Sequence, residues 1–459
     1  MRAASFNEAV KTDKSGFVDE VVNRLAEAGI LEGASVLDIG GGSGRYAIPM
    51  ARLAQSVTMT DISKNMLDLA RENANSQGIV ETKRDGNKVI AIVSAMGKTT
   101  DKLIQMAREI SEVPPKREMD RLLSTGEQIS MSLLAMAIQA MGEKAISLSG
   151  PQAGIMTDAY HSKARIKNVA ADRLKKELEE DNIIIVAGFQ GENADYDVTT
   201  LGRGGSDTSA VAIAAAVDAD LCEIFTDVDG VYSCDPRIVP KAKKLKVVSY
   251  DEMLELAILG AKVLQHRSVE LAKTHKVAVH VRSSFNHNLG TVVKEDTSME
   301  HNGIITGIAH DFNVAKVVVF GVPDKPGIAA KVFGEISKLD INIQMIVQSA
   351  QTENMNDIAF TCSIEEAKEA QDALEKVVRE IGARSVVITD NLAKVSIVGA
   401  GMMTHTNIAS RMFSALAGAG VNIDMISTSE ITISVIVESD KCQDAVQALA
   451  KEFDLLENK

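Results

Sequence analysis

Tryptophan is absent from this 459-residue chain, and aromatic residues make up only 3% of it. Large aromatic side chains usually supply much of the buried area of a core, so this core must be built from aliphatic residues and methionine. Hydrophobic residues still account for 45% of the chain, and its length is typical of about three domains. The composition predicts a large globular protein with an aliphatic core.

Cysteine is scarce as well, and none of the four cysteines forms a C-x-x-C pair. The eight histidines form no H-x-x-x-H pair. This spacing argues against a zinc knuckle or a disulfide framework, so we expect no metal site built from such pairs. Scattered single cysteines are typical of a reducing compartment, and we expect a cytoplasmic protein.

Positive charge is in deficit, because the formal net charge is −14 at pH 7. Nucleic acids and anionic membranes both attract basic surfaces, so we expect neither as a partner. Long apolar runs are also lacking. The most apolar segment, Ala210–Val217, is far too short to cross a bilayer, and the first residues do not read as a signal peptide.

The chain divides into three blocks by pattern, and the first ends near residue 80. Within it, a strand at Val36–Ile39 meets the turn Gly40–Gly44, a helical segment follows, and a second strand at Val57–Met59 leads to Asp61. The block therefore alternates strand and helix.

The second block, from about residue 81 to 294, contains several short, continuous apolar runs with helical segments between most of them. Such runs fit strands that are buried on both faces, so we expect a mostly parallel sheet covered by helices. The runs lie at Val89–Val93, Ile146–Leu148, Ile183–Val186, Glu223–Phe225 and Val277–Val281.

The third block, from about residue 303, contains an internal repeat with an offset of 80 residues. The segment Ile341–Ile346 recurs as Val421–Ile426, and Phe333 recurs as Phe413. Each copy reads strand, turn, helix, strand, strand, helix. Two copies are too few for a solenoid, so they form a tandem of small modules that either bind a ligand or merely dimerise.

A glycine-rich loop precedes an apolar helix in the second block, in the order Leu201-Gly202-Arg203-Gly204-Gly205-Ser206-Asp207. We expect the helix over Thr208–Val217, with Ser206 as its N-cap. Glycines let the backbone approach a ligand, and a helix N-terminus favours an anion. Arg203 offers a guanidinium that holds a carboxylate with two bonds. By itself, this loop is only moderately specific evidence for an anion-binding site.

Two further segments carry candidate chemistry. An acidic loop runs from Thr226 to Arg237, and its Asp and Arg residues suit the phosphates and Mg²⁺ of a nucleotide, although many such loops bind nothing. Glu127 stands near the start of a helix, in Ser124-Thr125-Gly126-Glu127. It suits a substrate ammonium, or it only complements the helix dipole.

Together these segments resemble the aspartokinases of the amino-acid kinase family, over about residues 82–459. Ser94–Asp101, Ala187–Gly191 and Leu259–Leu264 match further family segments, and the third block resembles the tandem ACT domains. The resemblance implies an α/β fold: a three-layer sandwich of the amino-acid kinase type, followed by two ferredoxin-like ACT modules. It also implies phosphorylation of L-aspartate by ATP.

The family's site residues map onto this sequence. The resemblance implies that Arg203 holds the substrate's α-carboxylate and that Glu127 holds its ammonium. It places the remaining substrate pocket at Ser94, Thr100, Phe189, Ser206 and Asp207. It places ATP, with Mg²⁺, on Thr226, Asp227, Tyr232, Ser233, Asp235, Arg237 and Lys262, of which Lys262 would meet the transferring phosphate.

The ACT modules imply feedback by lysine, threonine or both, and assembly into a homodimer or a higher oligomer. The effector pocket of the family maps to Asp324, Pro326, Gly327, Asn342, Ile343 and Gln348.

The first block does not match a kinase. Aspartokinases open with a strand ending in Lys-Phe/Tyr-Gly-Gly, and this chain has no such segment. The block instead resembles the start of a Rossmann-like methyltransferase that uses S-adenosylmethionine. The cofactor would lie against Asp38, Gly40, Gly42 and Asp61. Only the first two strands of that fold are present, so we interpret the block as a fragment. One hypothesis is that Val36–Ile39 replaces the missing kinase strand.

The expected domains are therefore 1–80 for the methyltransferase fragment, 81–298 for the kinase domain, 299–386 for the first ACT domain and 387–459 for the second. Aspartate kinase is the leading interpretation. An impaired regulatory module that binds lysine or threonine is the main alternative, and it is favoured by the missing lysine motif. An active methyltransferase, or a kinase acting on glutamate or acetylglutamate, is a weaker one.

Overall fold

A computed structural model describes residues 79–80, 82–261, 263–286, 288–295, 303–349 and 354–457, together with two strands nearer the N-terminus. The chain forms two compact units, Met1–Ile224 and Phe225–Lys459, and each is described by itself. None of the described helices has both the length and the apolarity needed to cross a membrane.

The two N-terminal strands are β1, Ser35–Ile39, and β2, Ser56–Thr60. They pair in parallel with Val36 opposite Val57, which confirms both predicted strands. The hypothesis that β1 replaces a strand of the kinase sheet is wrong, because β1 and β2 form a two-stranded sheet of their own. Two strands joined by one crossover connection pair readily with each other.

The rest of the first unit alternates strands and helices. Its elements, in chain order, are β3 Ile90–Val93, α1 Thr99–Ile110, α2 Lys116–Leu123, α3 Thr125–Ala140, β4 Ala145–Leu148, β5 Ile155–Thr157, β6 Ile166–Val169, α4 Asp172–Glu179, β7 Ile183–Ala187, β8 Gln190–Glu192, β9 Val198–Thr200 and α5 Gly205–Ala216.

A parallel sheet of order β3-β7-β4 forms the centre of this unit. All five residues of β7 are fully buried. Ile183 and Ile185 pack with residues of α3 on one face, whereas Ile184 and Val186 pack with residues of α4 and α5 on the other. Alternate side chains of a strand point to opposite faces, so the continuous apolar run of β7 builds a three-layer arrangement.

The remaining sheets correct the expectation of a mostly parallel architecture. The sheet β6-β5-β8-β9 joins β5 to β6 and β8 to β9 in antiparallel fashion, with one parallel contact between β5 and β8. These strands have only three or four residues each and no continuous apolar run, which is why the sequence pattern did not reveal them.

The second unit begins with a mixed sheet of order β10-β12-β13-β11, in which β13 pairs antiparallel with β12 and parallel with β11. The boundary between the units falls inside β10. The elements are β10 Cys222–Thr226, β11 Val247–Ser249, α6 Tyr250–Leu259, α7 His266–His275, β12 Val279–Ser283 and β13 Thr291–Lys294.

Two four-stranded antiparallel sheets, each covered by helices, complete the second unit. Their strand orders are β16-β17-β15-β18 and β14-β19-β21-β20. The elements are β14 Gly307–Asp311, β15 Ala315–Pro323, α8 Ile328–Lys338, β16 Met345–Gln348, β17 Met355–Cys362, α9 Ile364–Ile381, β18 Ser385–Thr389, β19 Leu392–Val398, a 3₁₀ turn Ala400–Thr404, α10 Ile408–Gly418, β20 Met425–Thr428, β21 Thr432–Glu438, a 3₁₀ turn Ser439–Lys441 and α11 Cys442–Glu452.

The predicted repeat is visible in these sheets. Helices α8 and α10 begin 80 residues apart, and so do β16 and β20, which share one burial pattern. The modules exchange an element, however, because β14 precedes the first module in the chain but lies at the edge of the second module's sheet. The boundary expected between residues 386 and 387 falls inside β18, which belongs to the first sheet.

Candidate active site

A cavity of about 210 Å³ in the first unit brings together all seven residues predicted to surround the substrate. They are Ser94, Thr100, Glu127, Phe189, Arg203, Ser206 and Asp207. Ser94 and Phe189 follow the carboxyl ends of the adjacent parallel strands β3 and β7. Ligands in open α/β sheets bind at this edge, so the topology itself places the pocket there.

Glu127 is the most deeply buried acid of this cavity and is only 4% exposed. Its Oε1 accepts a hydrogen bond from the Ala95 backbone N–H at 3.0 Å. Its Oε2 is buried and has no hydrogen-bond partner. Burial raises the pKa of Glu127 to about 7. A carboxylate oxygen left unpaired in a cavity is costly, and a ligand cation would remove that cost.

The glycine-rich loop also lines the cavity, from Gly202 to Asp207. Gly204 adopts φ +69°, so helix α5 begins at Gly205, three residues earlier than predicted. The prediction that Ser206 caps the helix is wrong for this reason, because Gly204 occupies the N-cap and Ser206 lies in the first turn. The Gly205 N–H donates to the Gly202 carbonyl at 3.0 Å, and the N-terminus of α5 beside Arg203 favours an anion.

Asp207 also lies in the first turn of α5, and burial raises its pKa to about 6. Gly205 must remain a glycine, because a Cβ there would lie 2.9 Å from Phe189 Cδ2. Phe189 itself has φ +65°, and its N–H donates to Ser209 Oγ at 3.2 Å. This uncommon backbone conformation is held by α5 and places the Phe189 ring in the cavity wall.

Asp120 is a residue that the sequence patterns did not single out. It is fully buried on α2, and its carboxylate accepts hydrogen bonds from Thr200 Oγ1 at 2.5 Å and from the Ser162 N–H at 3.0 Å. His161 Nδ1 lies 2.7 Å from its second oxygen. The network joins the helix before Glu127 to the strand before Arg203. An acid on an amphipathic helix usually faces solvent, so only its burial reveals this role.

Five of the seven residues predicted to bind ATP occupy one loop of the second unit that follows Thr226, the last residue of β10. Tyr232 donates its hydroxyl to Asp229 Oδ1 at 2.8 Å, and Lys244 Nζ lies 2.8 Å from Asp229 Oδ2. Arg237 pairs with Asp235 through Nη2 and Oδ2 at 2.7 Å, and this hydrogen bond lowers the pKa of Asp235. Asp227 is exposed, and Thr226 donates to its carboxylate at 3.1 Å.

Ser233 corrects the predicted nucleotide set. It is fully buried, and its hydroxyl donates to the Leu455 carbonyl at 2.7 Å and accepts from the Lys243 N–H at 3.0 Å. A side chain enclosed in this way cannot touch a bound nucleotide. Lys262 lies outside the described residues, as do Gly40, Gly42 and Asp61 of the first block.

The six predicted effector residues do not form one cluster within the first module. Strands β15 and β16 both pair antiparallel with β17, so they run in the same direction. The end of β15 is followed by Asp324, Pro326 and Gly327. The start of β16, at the opposite end of the strands, is preceded by Asn342 and Ile343. Gln348 closes β16. Within the first module, the six residues are therefore divided between the two ends of one sheet.

The two modules contact each other through two lysines. Each lysine lies on a strand of one module and reaches the turn before the second strand of the other module. Lys316 of β15 forms an ion pair with Asp424, and Lys394 of β19 donates to the Gln344 side chain. Lys394 is buried, which lowers its pKa. Gln344 and Asp424 occupy equivalent positions of the repeat, so the contacts are reciprocal but differ in charge.

Comparison with protein families gives four matches. Residues 65–283 match the amino acid kinase family, and residues 316–382 and 395–453 each match an ACT domain. Residues 37–91 match a methyltransferase domain. The matches confirm the resemblances inferred from the motifs, including that of the first block.

Curated relatives and solved structures agree with these matches. An aspartokinase of Mycolicibacterium smegmatis is 50% identical over 397 residues, which span 85% of this chain and 94% of the relative. An aspartate kinase of Pseudomonas putida is 48% identical over 81% of this chain and 90% of the relative.

Two of the solved structures are 22% identical to the chain and show its fold. A Clostridium acetobutylicum aspartate kinase has a TM-score of 0.67, covering 92% of this chain and all of the other. Escherichia coli aspartokinase III, solved with aspartate and ADP, has a TM-score of 0.64 with the same coverage.

Proposed function

This chain belongs to the aspartokinases of the amino acid kinase family, and we propose that it transfers the γ-phosphoryl group of ATP to the β-carboxylate of L-aspartate. The product is 4-phospho-L-aspartate. The observation that carries the proposal is the cavity in which the unpaired carboxylate oxygen of Glu127 and the guanidinium of Arg203 face one small volume. An α-amino acid presents the matching ammonium and carboxylate.

We assign recognition of aspartate to the first unit. Arg203 would hold the α-carboxylate with two bonds, and Glu127 would accept the ammonium through Oε2. Bringing a cation to Glu127 favours its ionised form, so binding would release the proton that burial retains near neutral pH. Ser94, Thr100, Phe189, Ser206 and Asp207 would complete the pocket.

The reaction needs no general base, because the β-carboxylate of aspartate is already ionised at pH 7. Catalysis is then a matter of positioning the two substrates and neutralising charge on the phosphoryl group. We propose that Thr226, Asp227, Tyr232, Asp235, Arg237 and Lys262 hold ATP. The exposed guanidinium of Arg237 and the exposed carboxylate of Asp227 suit phosphates and their counter-ion.

Mg²⁺ would arrive with the nucleotide. Among the residues that the structure describes, no three His, Cys, Asp or Glu side chains cluster closely enough to hold a metal ion. This fits kinases, in which phosphate oxygens supply much of the coordination and the protein adds one or two carboxylates.

We propose that the ACT modules bind lysine, threonine or both as feedback effectors, with pocket residues drawn from two modules or two copies. E. coli aspartokinase III, also solved with lysine and aspartate, provides the precedent. Assembly into a homodimer or a higher oligomer through these modules is part of the proposal. Sedimentation that shows only monomer at micromolar concentration would contradict it.

We retain the predicted segments 1–80 and 81–298 in the proposed domain division, and we move the boundary between the two ACT modules from 386/387 to the end of β18 at Thr389, with β14 contributed to the second ACT sheet. A regulatory module without turnover is the second candidate, because the sequence has no Lys-Phe/Tyr-Gly-Gly segment to stabilise the transferring phosphoryl group.

The deciding experiment is ATP-dependent formation of aspartyl phosphate, trapped as the hydroxamate, with and without lysine and threonine. Product whose formation these amino acids suppress supports a regulated kinase. A folded chain that binds lysine or threonine but forms no product supports the regulatory module instead. Binding of S-adenosylmethionine, measured on the same preparation, tests the weaker interpretation of the first block.

A further inference from the structure

Ser233 is enclosed by segments that are distant in the sequence. Within its own loop, its N–H donates to the Lys243 carbonyl at 2.8 Å. Its hydroxyl donates to the carbonyl of Leu455, which lies 222 residues further along the chain. Its carbonyl accepts from the Ile308 N–H at 2.7 Å. The hydroxyl and the carbonyl of Ser233 thus hold the loop to the second ACT module, while its N–H is satisfied locally by Lys243.

Strand β14 makes the first of the two long-range attachments. It is the edge strand of the second ACT sheet, and its register with β19 is fixed from Gly307 to Asp311. One of its residues, Ile308, donates to Ser233 in the predicted nucleotide loop. Another, His310, presents its carbonyl to Gly260, where a Cβ would lie only 2.2 Å away. The strand therefore touches both the loop and the end of helix α6.

The C-terminal residues make the second attachment. The Leu455 carbonyl also accepts from the Lys243 N–H at 3.1 Å, and the Glu457 N–H donates to the Lys241 carbonyl at 2.8 Å. Cys234 and Ala242 share a hydrophobic core with residues of α10 and α11. The segment after Tyr232 is thus packed as part of the second module rather than as a free surface loop.

We propose that Ser233 is a positioning residue for the nucleotide, through which the second ACT module fixes the geometry of the loop Thr226–Arg237. This inference rests on the proposed assignment of that loop to ATP. Because Ser233 is buried, it acts on ATP only through Tyr232, Asp235 and Arg237, its neighbours in the loop. A module that holds Ser233 in place sets the affinity for ATP without contacting it.

The test compares Ser233→Ala with Ser396→Ala in the full-length chain. Ser396 is a matched control, because it is also fully buried in the second module and its hydroxyl lies 2.7 Å from that of Ser434 inside the sheet. Affinities for ATP with Mg²⁺ and for aspartate are measured by calorimetry. We expect Ser233→Ala to weaken ATP binding about 10-fold, since two buried hydrogen bonds are lost, and to leave aspartate affinity unchanged.

A second variant, Ser233→Cys, distinguishes the loss of hydrogen bonds from misfolding of the Ala variant. Ser233→Cys keeps nearly the same volume but hydrogen-bonds weakly, so it should weaken ATP binding in the same direction. Amide hydrogen exchange should also rise in residues 231–245 of both Ser233 variants and not in the Ser396 control.

Four results would overturn the inference. The first is ATP affinity unchanged in both Ser233 variants, and the second is an equal loss in Ser396→Ala. The third is a parallel loss of aspartate affinity, which would indicate general destabilisation. The fourth is absence of ATP binding by the unaltered chain, which would remove the proposed function and this inference together.

Discussion

Glu127 and Arg203 line the same cavity but differ in their exposure to solvent. Arg203 is exposed, whereas Glu127 is buried with one carboxylate oxygen unpaired. Desolvation of the Glu127 carboxylate costs free energy, and an ion pair with a substrate ammonium would offset that cost. At the scale of single residues, these two side chains carry the proposal that the cavity binds a ligand with both an ammonium and a carboxylate.

Glu127→Gln should make the ligand-free protein more stable at pH 8. Burial raises the pKa of Glu127 from 4.5 to about 7, so between these values the folded protein retains a proton that the unfolded chain releases. Stability from this group is complete below pH 4.5 and is lost as the pH rises through 7. Glutamine cannot ionise and avoids the loss.

Thermal unfolding at pH 5 and pH 8 provides the measurement. The Gln variant should unfold about 2–4 °C above the unaltered protein at pH 8, with a smaller difference at pH 5. Glu112→Gln changes an exposed carboxylate of the same unit and should show no such pH dependence. Equal unfolding temperatures for Glu127→Gln and the unaltered protein at pH 8 would refute the desolvation argument.

Arg203→Lys should weaken aspartate binding by about 10- to 100-fold. Lysine keeps the positive charge but cannot form the two parallel bonds that a guanidinium makes to a carboxylate. The affinity for aspartate is measured by calorimetry. Arg121→Lys makes the same change at an exposed position of α2 outside the cavity and should leave the affinity unaltered. Similar affinities in the two variants would exclude Arg203 from the α-carboxylate site.

At the scale of secondary-structure elements, glycines determine where helices begin and end. Gly204 starts α5 through its positive φ, and Gly260 follows α6 with φ +122°. Gly260 also brings its backbone close to the His310 carbonyl of β14. The helix motif was visible in the sequence, but the exact first turn depended on a backbone conformation that only a glycine adopts easily.

Gly260→Ala should destabilise the second unit by about 3 kcal/mol. A Cβ there would lie 2.2 Å from the His310 carbonyl oxygen, and φ +122° is strained for alanine. Gly334→Ala is the matched control, because Gly334 lies inside α8 with no atom within 4 Å of the added Cβ. That variant should be about 0.5–1 kcal/mol more stable.

Urea unfolding of the full-length variants measures both changes. A transition midpoint for Gly260→Ala at or above that of the unaltered chain would show that β14 does not press on the end of α6. Such a result would also weaken the role assigned to β14 in holding the nucleotide loop.

At the scale of the whole molecule, the sequence contains no Lys-Phe/Tyr-Gly-Gly segment. Residues 37–91 match a methyltransferase domain, and β1 pairs with β2 in a separate sheet. The family's lysine, which would stabilise the transferring phosphoryl group, has no counterpart in the sequence. The proposed chemistry therefore relies on the remaining cations, Arg237 and Lys262.

Replacing residues 1–80 with a strand that ends in Lys-Phe-Gly-Gly should raise turnover by about 10²- to 10³-fold. The estimate is taken from the cost of removing one transition-state donor in other enzymes. Aspartyl hydroxamate formation measures the rate. The control is the same segment with methionine in place of its lysine. It should restore the strand but should not raise the turnover rate. If the two replacement segments gave the same rate, the lysine would not limit this chain.

The sequence by itself predicted most of the elements, and its resemblance to a known family predicted which residues line the cavity. Continuous apolar runs located β3, β4, β7 and β10, and an 80-residue offset located the two modules. These signals are local, because periodicity, glycine and charge act over a few residues. The sequence patterns did not predict the short strands β5, β6, β8 and β9, because these strands contain no continuous apolar run.

Only the tertiary structure decided which polar residues are buried and which segments from distant parts of the chain meet. It enclosed Asp120 and Ser233, moved β14 into the second module's sheet and separated Asn342 from Asp324. Burial and strand pairing depend on contacts between distant segments, so no local pattern encodes them. That is why the residues lining the cavity could be named from the sequence, while the attachment of the loop Thr226–Arg237 to the second ACT module emerged only from the fold.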